Sequence, residues 1–301
     1  MSASYGQDLP RFNAAEFLVD RYCRNVAADA GVELLRGGFT EGCGKRKTVN
    51  FSSNGRLVIL TGPSCAGKSP LAKALWKFHP DLASRLQPLV LYNSRDPRPG
   101  ERNGIDYHFR TRSQIEALRD DDRYALLDVR GDLQALDLEE VQSLLKSGNS
   151  FFEGNPFVGK TLLMHRRLAD ISKLSVFLSP LSKEEILYLK AAERNDLKEL
   201  VTDVMRRKLL RRTRRQKGEL SGKDLENIER RAGSAYSELQ EAWHFDHVIP
   251  NHDGEDSDNW EAFYYPLGEA RNSLNAFVAL LQGKIPQGIE KWDAQLFPSA
   301  G

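Results

Sequence analysis

Residues 62–69 of the chain read Gly62-Pro63-Ser64-Cys65-Ala66-Gly67-Lys68-Ser69, and the fold is predicted from this segment outward. It fits the pattern G-x-x-x-x-G-K-[ST], in which glycines let the backbone curl so that successive N–H groups point at a phosphate. The lysine of this pattern reaches the terminal phosphates of a nucleoside triphosphate, and the last hydroxyl can hold Mg²⁺. We therefore predict a site for ATP and Mg²⁺ formed by Gly62, Ser64, Ala66, Gly67, Lys68 and Ser69.

The residues on either side place this loop between a strand and a helix. Residues 56–60, RLVIL, are a short apolar run rich in β-branched residues, and residues 70–78, PLAKALWKF, have a helical pattern. Pro70 falls near the first helical turn, where a missing N–H costs little. A strand, a glycine loop and a helix in this order are the context that the phosphate-binding pattern requires.

The rest of the chain alternates short apolar runs with helical stretches, and the runs lie at residues 88–91, 150–152, 175–178 and 247–249. This alternation predicts an α/β fold with a mainly parallel sheet flanked by helices. Residues 13–30 have a helical period and residues 37–55 are rich in glycine and basic residues, so residues 1–55 are predicted to be a helical extension and linker. Residues 266–301 are predicted to be a C-terminal helical tail.

Composition describes an ordinary globular chain of 301 residues with a net charge of +1. No apolar run is long enough to span a membrane, and the N-terminus lacks the apolar segment of a secretory signal. The three cysteines, Cys23, Cys43 and Cys65, match neither a zinc spacing nor a disulfide framework. These features predict a cytoplasmic location and no membrane partner.

A second motif follows at residues 94–109, which read SRDPRPGERNGIDYHF. Arg95 and Arg98 are three residues apart, and prolines and a glycine stiffen the chain around them. Such a pair can form a fork for an anion, because the planar guanidinium pairs with phosphate through two hydrogen bonds. A solvated basic turn is the alternative interpretation.

Residues 94–109 resemble the signature T-R-x-P-R-x-G-E-x-x-G-x-D-Y-x-F of the guanylate kinase family, with Ser94 in place of threonine. The resemblance covers roughly residues 56–260 and implies a P-loop kinase with a small acceptor-binding subdomain and a helical lid. It also implies that Arg95, Arg98 and Tyr107 hold the acceptor's phosphate while Glu101 orients the arginines. The implied guanylate-kinase-like domain spans 56–265, with its core at 56–92, 150–182 and 231–265, its acceptor subdomain at 93–149 and its lid at 183–230.

The C-terminal part of the resemblance is the segment 230–251, RRAGSAYSELQEAWHFDHVIPN. It implies that Arg231 contacts the transferring phosphate and that Asn251 lies near adenine. Arg211 and Arg215 resemble the paired arginines of the lid, and their spacing puts them on one helix face. Together with Lys68 these arginines are the predicted catalytic residues, since they would stabilise charge on the transferred phosphoryl group.

The chain departs from the family at the positions that recognise guanine. Leu91 stands where a serine touches the base, Ala125 where a glutamate reads its edge, and Leu136 where a small hydroxyl residue is usual. Gln134 replaces a tyrosine that would bind the acceptor phosphate. Because unmet polar groups cost ~1–3 kcal/mol each, we predict that phosphate recognition is retained and GMP is a doubtful acceptor. The alternative is that the alignment slips here and other residues read guanine.

Glu153 follows the apolar run at 150–152. A carboxylate at the carboxyl end of a strand beside a phosphate loop can bind Mg²⁺ through water, so Glu153 and Ser69 are the predicted metal residues. The family's D-x-D motif becomes Gly154-Asn155-Pro156 here. An ordinary surface carboxylate is the alternative.

These patterns predict an ATP-dependent phosphotransferase that moves the γ-phosphate to the phosphate of a nucleoside monophosphate or a similar phosphate monoester. The segment 206–217 holds eight basic residues in twelve, so a nucleic-acid-associated kinase is one alternative. A non-catalytic interaction module is another. Such modules typically lose the phosphate loop and keep the guanine pocket, whereas this chain shows the opposite pattern.

Overall fold

The computed structural model describes residues 55–98, 100–191 and 196–297. The extension predicted at residues 1–55 therefore lies, apart from Gly55, outside the described residues. Among the residues described, no helix combines the length and apolarity needed to cross a membrane.

Nine strands occur in the described ranges: β1 (Leu57–Thr61), β2 (Leu86–Pro88), β3 (Tyr92–Asn93), β4 (His108–Phe109), β5 (Tyr124–Val129), β6 (Asp132–Asp137), β7 (Asn149–Gly154), β8 (Lys173–Ser179) and β9 (His247–Pro250). Five of them form a fully parallel sheet in the order β2-β7-β1-β8-β9. Leu57 in the central strand is paired with Ser150 on one side and Lys173 on the other. The predicted α/β fold with a mainly parallel sheet is confirmed.

The helices of the same ranges are α1 (Lys68–Phe78), α2 (Pro80–Ala83), α3 (Arg112–Glu116), α4 (Leu138–Ser147), α5 (Pro156–Met164), α6 (Lys183–Ala191), α7 (Leu197–Lys217), α8 (Gly222–Gly233), α9 (Ala235–Gln240) and α10 (Gly268–Leu281). Short 3₁₀ turns lie at Arg166–Leu168, Glu241–His244, Asp258–Trp260 and Ala294–Leu296. Several helices begin at a side-chain cap, as α5 does at Asn155, whose Oδ1 accepts from the backbone N–H of Phe157.

The core forms two apolar clusters on opposite faces of the parallel sheet. Every residue of β1 is buried, and successive side chains point to opposite faces. Leu57 and Ile59 belong to one cluster, while Val58 and Leu60 belong to the other. The central strand is therefore covered by helices on both sides, which explains its uninterrupted apolar run.

The C-terminal segment, predicted as a helical tail, contains one long helix and packs into this core. Helix α10 packs on the sheet beside α1, and its Phe277 is fully buried. Beyond it the chain is mostly irregular, and Glu290 pairs with Val248 of β9 through two backbone hydrogen bonds of 2.8 and 2.9 Å. Trp292 and Phe297 then fill the cluster on the opposite face. Residues 268–297 thus close both sides of the molecule.

The region between the second and third strands of the parallel sheet includes the acceptor subdomain predicted at 93–149, and it contains a second, mixed sheet in the order β4-β3-β6-β5. Strands β5 and β6 form an antiparallel hairpin, and β3 is antiparallel to β6 and parallel to β4. The apolar run at 88–91 is only partly a strand, since β2 ends at Pro88 and the residues after it lead into the second sheet.

Candidate active site

Glycines shape the phosphate loop between β1 and α1 at two positions. Gly62 has φ +150°, and a Cβ there would lie 2.2 Å from the carbonyl oxygen of Leu178. Gly67 has φ +100°, and a Cβ there would lie 2.6 Å from Nδ2 of Asn251. Both positions exclude a side chain, so the loop lies close to β8 and to the segment after β9.

Lys68 begins helix α1, and its side chain folds back over the loop. Its Nζ donates to the carbonyl oxygens of Gly62 at 2.9 Å and Pro63 at 2.7 Å. Burial lowers the pKa of Lys68, and the negative charges of Glu255 and Glu153 partly offset this effect. The ammonium group is therefore held at the mouth of the loop in surroundings where an anion would be a favourable partner.

Ser69 and Glu153 meet at the carboxyl end of the parallel sheet. The hydroxyl of Ser69 donates to Oε1 of Glu153 at 2.7 Å. Glu153 is on β7, the strand next to β1, so a hydroxyl and a carboxylate oxygen lie side by side near the loop. This donor set fits Mg²⁺, which prefers oxygen ligands and needs few of them from the protein.

The second motif forms a bridged pair of arginines. Oε2 and Oε1 of Glu101 accept from Arg95 at 2.6 and 2.7 Å, and Oε2 also accepts from the backbone N–H of Arg98 at 2.8 Å. Burial would raise the pKa of Glu101, but the hydrogen bonds from Arg95 and Arg98 outweigh it and lower that pKa. The guanidinium of Arg95 lies 5.1 Å from the ring centroid of Tyr107. Glu101 thus fixes the position of the Arg95 guanidinium through two hydrogen bonds.

One cavity of about 220 Å³ joins the two motifs. Its walls include Gly62, Ser64, Lys68 and Ser69 from the phosphate loop and Arg95, Arg98 and Tyr107 from the second motif. Glu153 and Arg231 line it as well. Nε of Arg231 donates to the hydroxyl of Ser64 in the loop at 3.0 Å.

Comparison with known proteins gives a consistent result. The family model described as guanylate kinase matches residues 54–208. A guanylate kinase of Synechococcus sp. (strain JA-3-3Ab) is 31% identical over 218 residues, covering 71% of this chain and 84% of the relative. One of Alkalilimnicola ehrlichii (strain ATCC BAA-1101 / DSM 17681 / MLHE-1) is 30% identical over 200 residues, covering 66% and 82%. The chain belongs to the guanylate kinase family.

This membership makes the protein a phosphotransferase of the nucleoside monophosphate kinase type. A crystal structure of guanylate kinase from Anaplasma phagocytophilum is also similar, at 16% identity and a TM-score of 0.44, over 77% of this chain and 87% of that one.

The side chains of Arg211 and Arg215, the arginines predicted for the lid, pair with carboxylates of the segment after β9. Arg211 binds Asp256 at 2.8 Å and Arg215 binds Asp258 at 3.1 Å, and neither lines the cavity. Arg212 lines it instead and binds Glu255 at 3.2 Å. Adjacent residues of a helix point about 100° apart, so a shift of one residue moves the side chain to another face.

Arg231 lies in a concentration of positive charge. Burial and the like charges of Arg212, Arg98 and Arg130 lower the pKa of Arg231 well below its usual range. Glu255 is the main counter-charge nearby: burial would raise its pKa, but Lys68, Arg212 and Arg231 more than offset this and lower it. A cluster of this kind favours an additional anion such as a nucleotide phosphate.

Asn251, predicted near adenine, is fully buried behind the phosphate loop. Its Nδ2 donates to the carbonyl oxygens of Ala66 at 2.9 Å and Asp253 at 2.7 Å. The side chain therefore connects the segment after β9 to the loop and supports the loop's curvature.

Most of the basic segment 206–217 is paired within the chain. Besides Arg211, Arg212 and Arg215, ion pairs join Arg206 to Glu229, Arg207 to Asp203 and Lys217 to Asp224, and Lys208 donates to the carbonyl oxygen of His252. The charge that motivated a nucleic-acid partner is thus largely balanced locally.

The positions that differ from the family around the acceptor's base are packed in apolar surroundings. Leu91 and Leu136 are 3% and 0% exposed, and they share a cluster with Val129 and the half-buried Ala125. Gln134 instead lines the cavity. The structure therefore has a polar side chain in the cavity with Arg95 and Arg98, and aliphatic side chains at the positions aligned with the family's base-reading residues.

Several residues that line or support the cavity were not predicted, namely Asn93, Arg130, Asp132, Asn155, Arg212, Asn227, Arg230 and Glu255. Arg212 could have been found by testing each register of the basic helix. Arg130 and Glu255 stand in segments with no pattern of their own, and only the folded chain brings them to the cavity.

Proposed function

We propose that the protein transfers the γ-phosphate of ATP to the phosphate group of a nucleoside monophosphate or a similar phosphate monoester, and that GMP is not its preferred acceptor. The observation that carries this proposal is the shared cavity. Its lining includes both the glycine loop, which is suited to a triphosphate, and the arginine pair, which is suited to a second phosphate. Two phosphate sites in one cavity favour transfer between phosphates over hydrolysis.

Different residues of the chain would position the two substrates. Lys68 and the backbone of the loop would hold the β- and γ-phosphates, while Arg95 and Arg98 would hold the acceptor's phosphate. Arg231 and Arg212 line the same cavity and would stabilise charge spread over the transferred phosphoryl group. Mg²⁺, held at Ser69 and Glu153, would neutralise charge on the bound triphosphate.

Aliphatic packing supports an acceptor other than GMP. Leu91, Ala125 and Leu136 offer no side-chain hydrogen bond, so guanine would leave polar groups unpaired if it bound against them. A site that reads a base through hydrogen bonds discriminates far more strongly than an apolar one. The curated relatives are guanylate kinases, which makes GMP the reference acceptor in any test.

The test is a screen of phosphate monoesters with purified protein, ATP and Mg²⁺, covering the nucleoside monophosphates and phosphorylated sugars. We expect turnover of at least one acceptor at a higher kcat/KM than GMP, and loss of that activity in Lys68→Ala. Efficient and preferred turnover of GMP would refute the proposal about the acceptor. Failure of every phosphate monoester would refute phosphate-to-phosphate transfer itself.

A further inference from the structure

The hairpin between β5 and β6 ends in a turn with unusual backbone geometry. Arg130 has φ +60° and Gly131 has φ +87°. Glycine adopts such angles easily, whereas an arginine in the left-handed region is uncommon and needs compensating contacts. The side chain of Arg130 supplies them outside its own sheet.

Arg130 reaches from the acceptor subdomain into the core and binds a buried carboxylate. Its Nε donates to Oε1 of Glu238 at 2.7 Å and to Oγ of Ser234 at 2.8 Å, and its Nη2 also binds Glu238. Nδ2 of Asn155, at the end of β7, donates to the same carboxylate oxygen at 3.0 Å. Glu238, on α9, is 0% exposed.

The ion pair between Arg130 and Glu238 affects where the acceptor subdomain lies relative to the core. A buried carboxylate that loses its cationic partner is strongly destabilised, because water cannot replace the lost charge. Moving the hairpin away from the core would separate Arg130 from Glu238. The ion pair therefore favours the arrangement in which the acceptor subdomain lies against the core.

The same cluster is connected to the phosphate loop. Oγ of Ser234 lies 3.1 Å from the carbonyl oxygen of Arg231 and 2.9 Å from Glu238. Arg231 in turn donates to Ser64. One chain of contacts thus runs from the tip of the acceptor hairpin, through Glu238 and Ser234, to an arginine at the phosphate loop.

We propose that Arg130 is a positioning residue for phosphoryl transfer. By binding Glu238 it holds the arginine pair of the acceptor subdomain at a set distance from the phosphate loop and keeps Arg231 directed at that loop. The inference rests on the proposed function. It adds a residue that lies outside the signature at residues 94–109.

The first test is the kinetics of Arg130→Ala with the best acceptor found in the screen. We expect kcat to fall about 100-fold, since a displacement of about 1 Å between reacting groups has an effect of this size. The KM for the acceptor should rise and the KM for ATP should change little, because the phosphate loop itself is intact. An unchanged kcat would overturn the proposal.

Arg123→Ala is the matched control. Arg123 forms a similar pair with the buried Asp137 at the opposite end of the same hairpin, away from the cavity. Its removal should lower thermal stability about as much as Arg130→Ala does, while kcat is retained. Equal losses of kcat in the two variants would mean that Arg130 acts only through stability.

Recovery of kcat in variants of Arg130 distinguishes a positioning role of this residue from a role in folding alone. Arg130→Lys restores the charge but not the two-pronged contact, so we expect it to fold and to recover part of the lost kcat. Millimolar guanidinium should raise the kcat of Arg130→Ala by binding at Glu238 and should leave Arg123→Ala unaffected. Absence of any recovery in both experiments would contradict the role assigned to Arg130.

A measurement without turnover keeps this inference distinct from the proposed function. Asp81, beside the parallel sheet, and Ala117, in the acceptor subdomain, are both exposed and can each be replaced by Cys. Spin labels on these two residues report the distance between the parallel-sheet domain and the acceptor subdomain. Cys23 and Cys43 would be replaced by Ser, and Cys65 is buried. We expect a longer and broader distance distribution in Arg130→Ala than in the parent protein. Identical distance distributions in the two proteins would refute the positioning role of Arg130 even if the enzyme is active.

Discussion

Arg211 and Arg212 are neighbours in the sequence, yet their side chains lie in different surroundings. The side chain of Arg211 is 61% exposed and pairs with Asp256 outside the cavity. That of Arg212 is 17% exposed, pairs with Glu255 and lines the cavity beside Arg231. A buried cation near the reacting phosphates contributes more to catalysis than an exposed one, because solvent screens it less.

Replacement of each arginine by alanine should therefore have unequal effects. We expect Arg212→Ala to lower kcat about 100-fold, the usual loss when one preorganised donor to a transition state is removed. Arg211→Ala, which breaks an ion pair with one exposed partner, should change kcat by less than about fivefold. Steady-state kinetics of the two variants checks this. A larger loss in Arg211→Ala would show that the lid rearranges during turnover.

Helix α5 and strand β1 approach each other closely at one glycine. A Cβ on Gly159 would lie 2.3 Å from Cγ2 of Thr61 and 3.1 Å from the ring of Phe245. Thr61 is the last residue of β1, directly before the phosphate loop. The absence of a side chain at Gly159 thus lets α5 support the strand from which the loop begins.

A methyl group at this position should separate the two elements. We expect Gly159→Ala to lower the free energy of unfolding by ~1–3 kcal/mol, as overpacking does in well-packed cores. Gly233→Ala is the control, because Gly233 is also helical but has no atom within 4 Å of an added Cβ. The free energy of unfolding of that variant should rise by ~0.4–1 kcal/mol, because alanine reduces the entropy of the unfolded chain. Urea unfolding measures both, and a stabilised Gly159→Ala would contradict the contact.

His252 joins distant parts of the molecule behind the phosphate loop. Its Nε2 lies 2.8 Å from Glu185 of α6 and its Nδ1 lies 2.8 Å from Glu269 of α10. Lys208 of α7 contacts the carbonyl oxygen of the same residue. Burial alone would lower the pKa of His252, but the bonds and charges of Glu269 and Glu185 outweigh it and raise that pKa.

The raised pKa of His252 predicts a dependence of stability on pH. The folded protein binds the His252 proton more tightly than the unfolded chain does. The stabilisation that His252 contributes is therefore complete below about pH 6.5, and it disappears as the pH rises through the pKa of His252 in the folded protein. We expect His252→Gln to be less stable than the parent protein at about pH 6 and to differ less from it at about pH 9. Chemical unfolding of both proteins at the two pH values tests this, and a difference that grows with pH would contradict it.

Features that depend on local backbone geometry and on the periodicity of apolar residues follow from the amino-acid sequence alone. The segment Gly62–Ser69 curls because of its glycines, and residues 57–60 form a buried strand because they are continuously apolar. The motif at 94–109 combines its arginines, Glu101 and Tyr107 within one short segment, so their proximity follows from connectivity. These local rules were enough to predict the parallel sheet, the phosphate loop and the fork of arginines.

Contacts between side chains from distant segments depend instead on how the whole chain packs. The smaller sheet includes strands of two residues, β3 and β4, which are too short to show a period. The sequence pattern predicts that the basic residues lie on a helix, but the packing of α7 determines that Arg212, and not Arg211, lines the cavity. Arg130 and Glu238 come together from opposite parts of the chain because two folded units meet there. Contacts of this kind depend on the path of the whole chain, and no local pattern encodes that path.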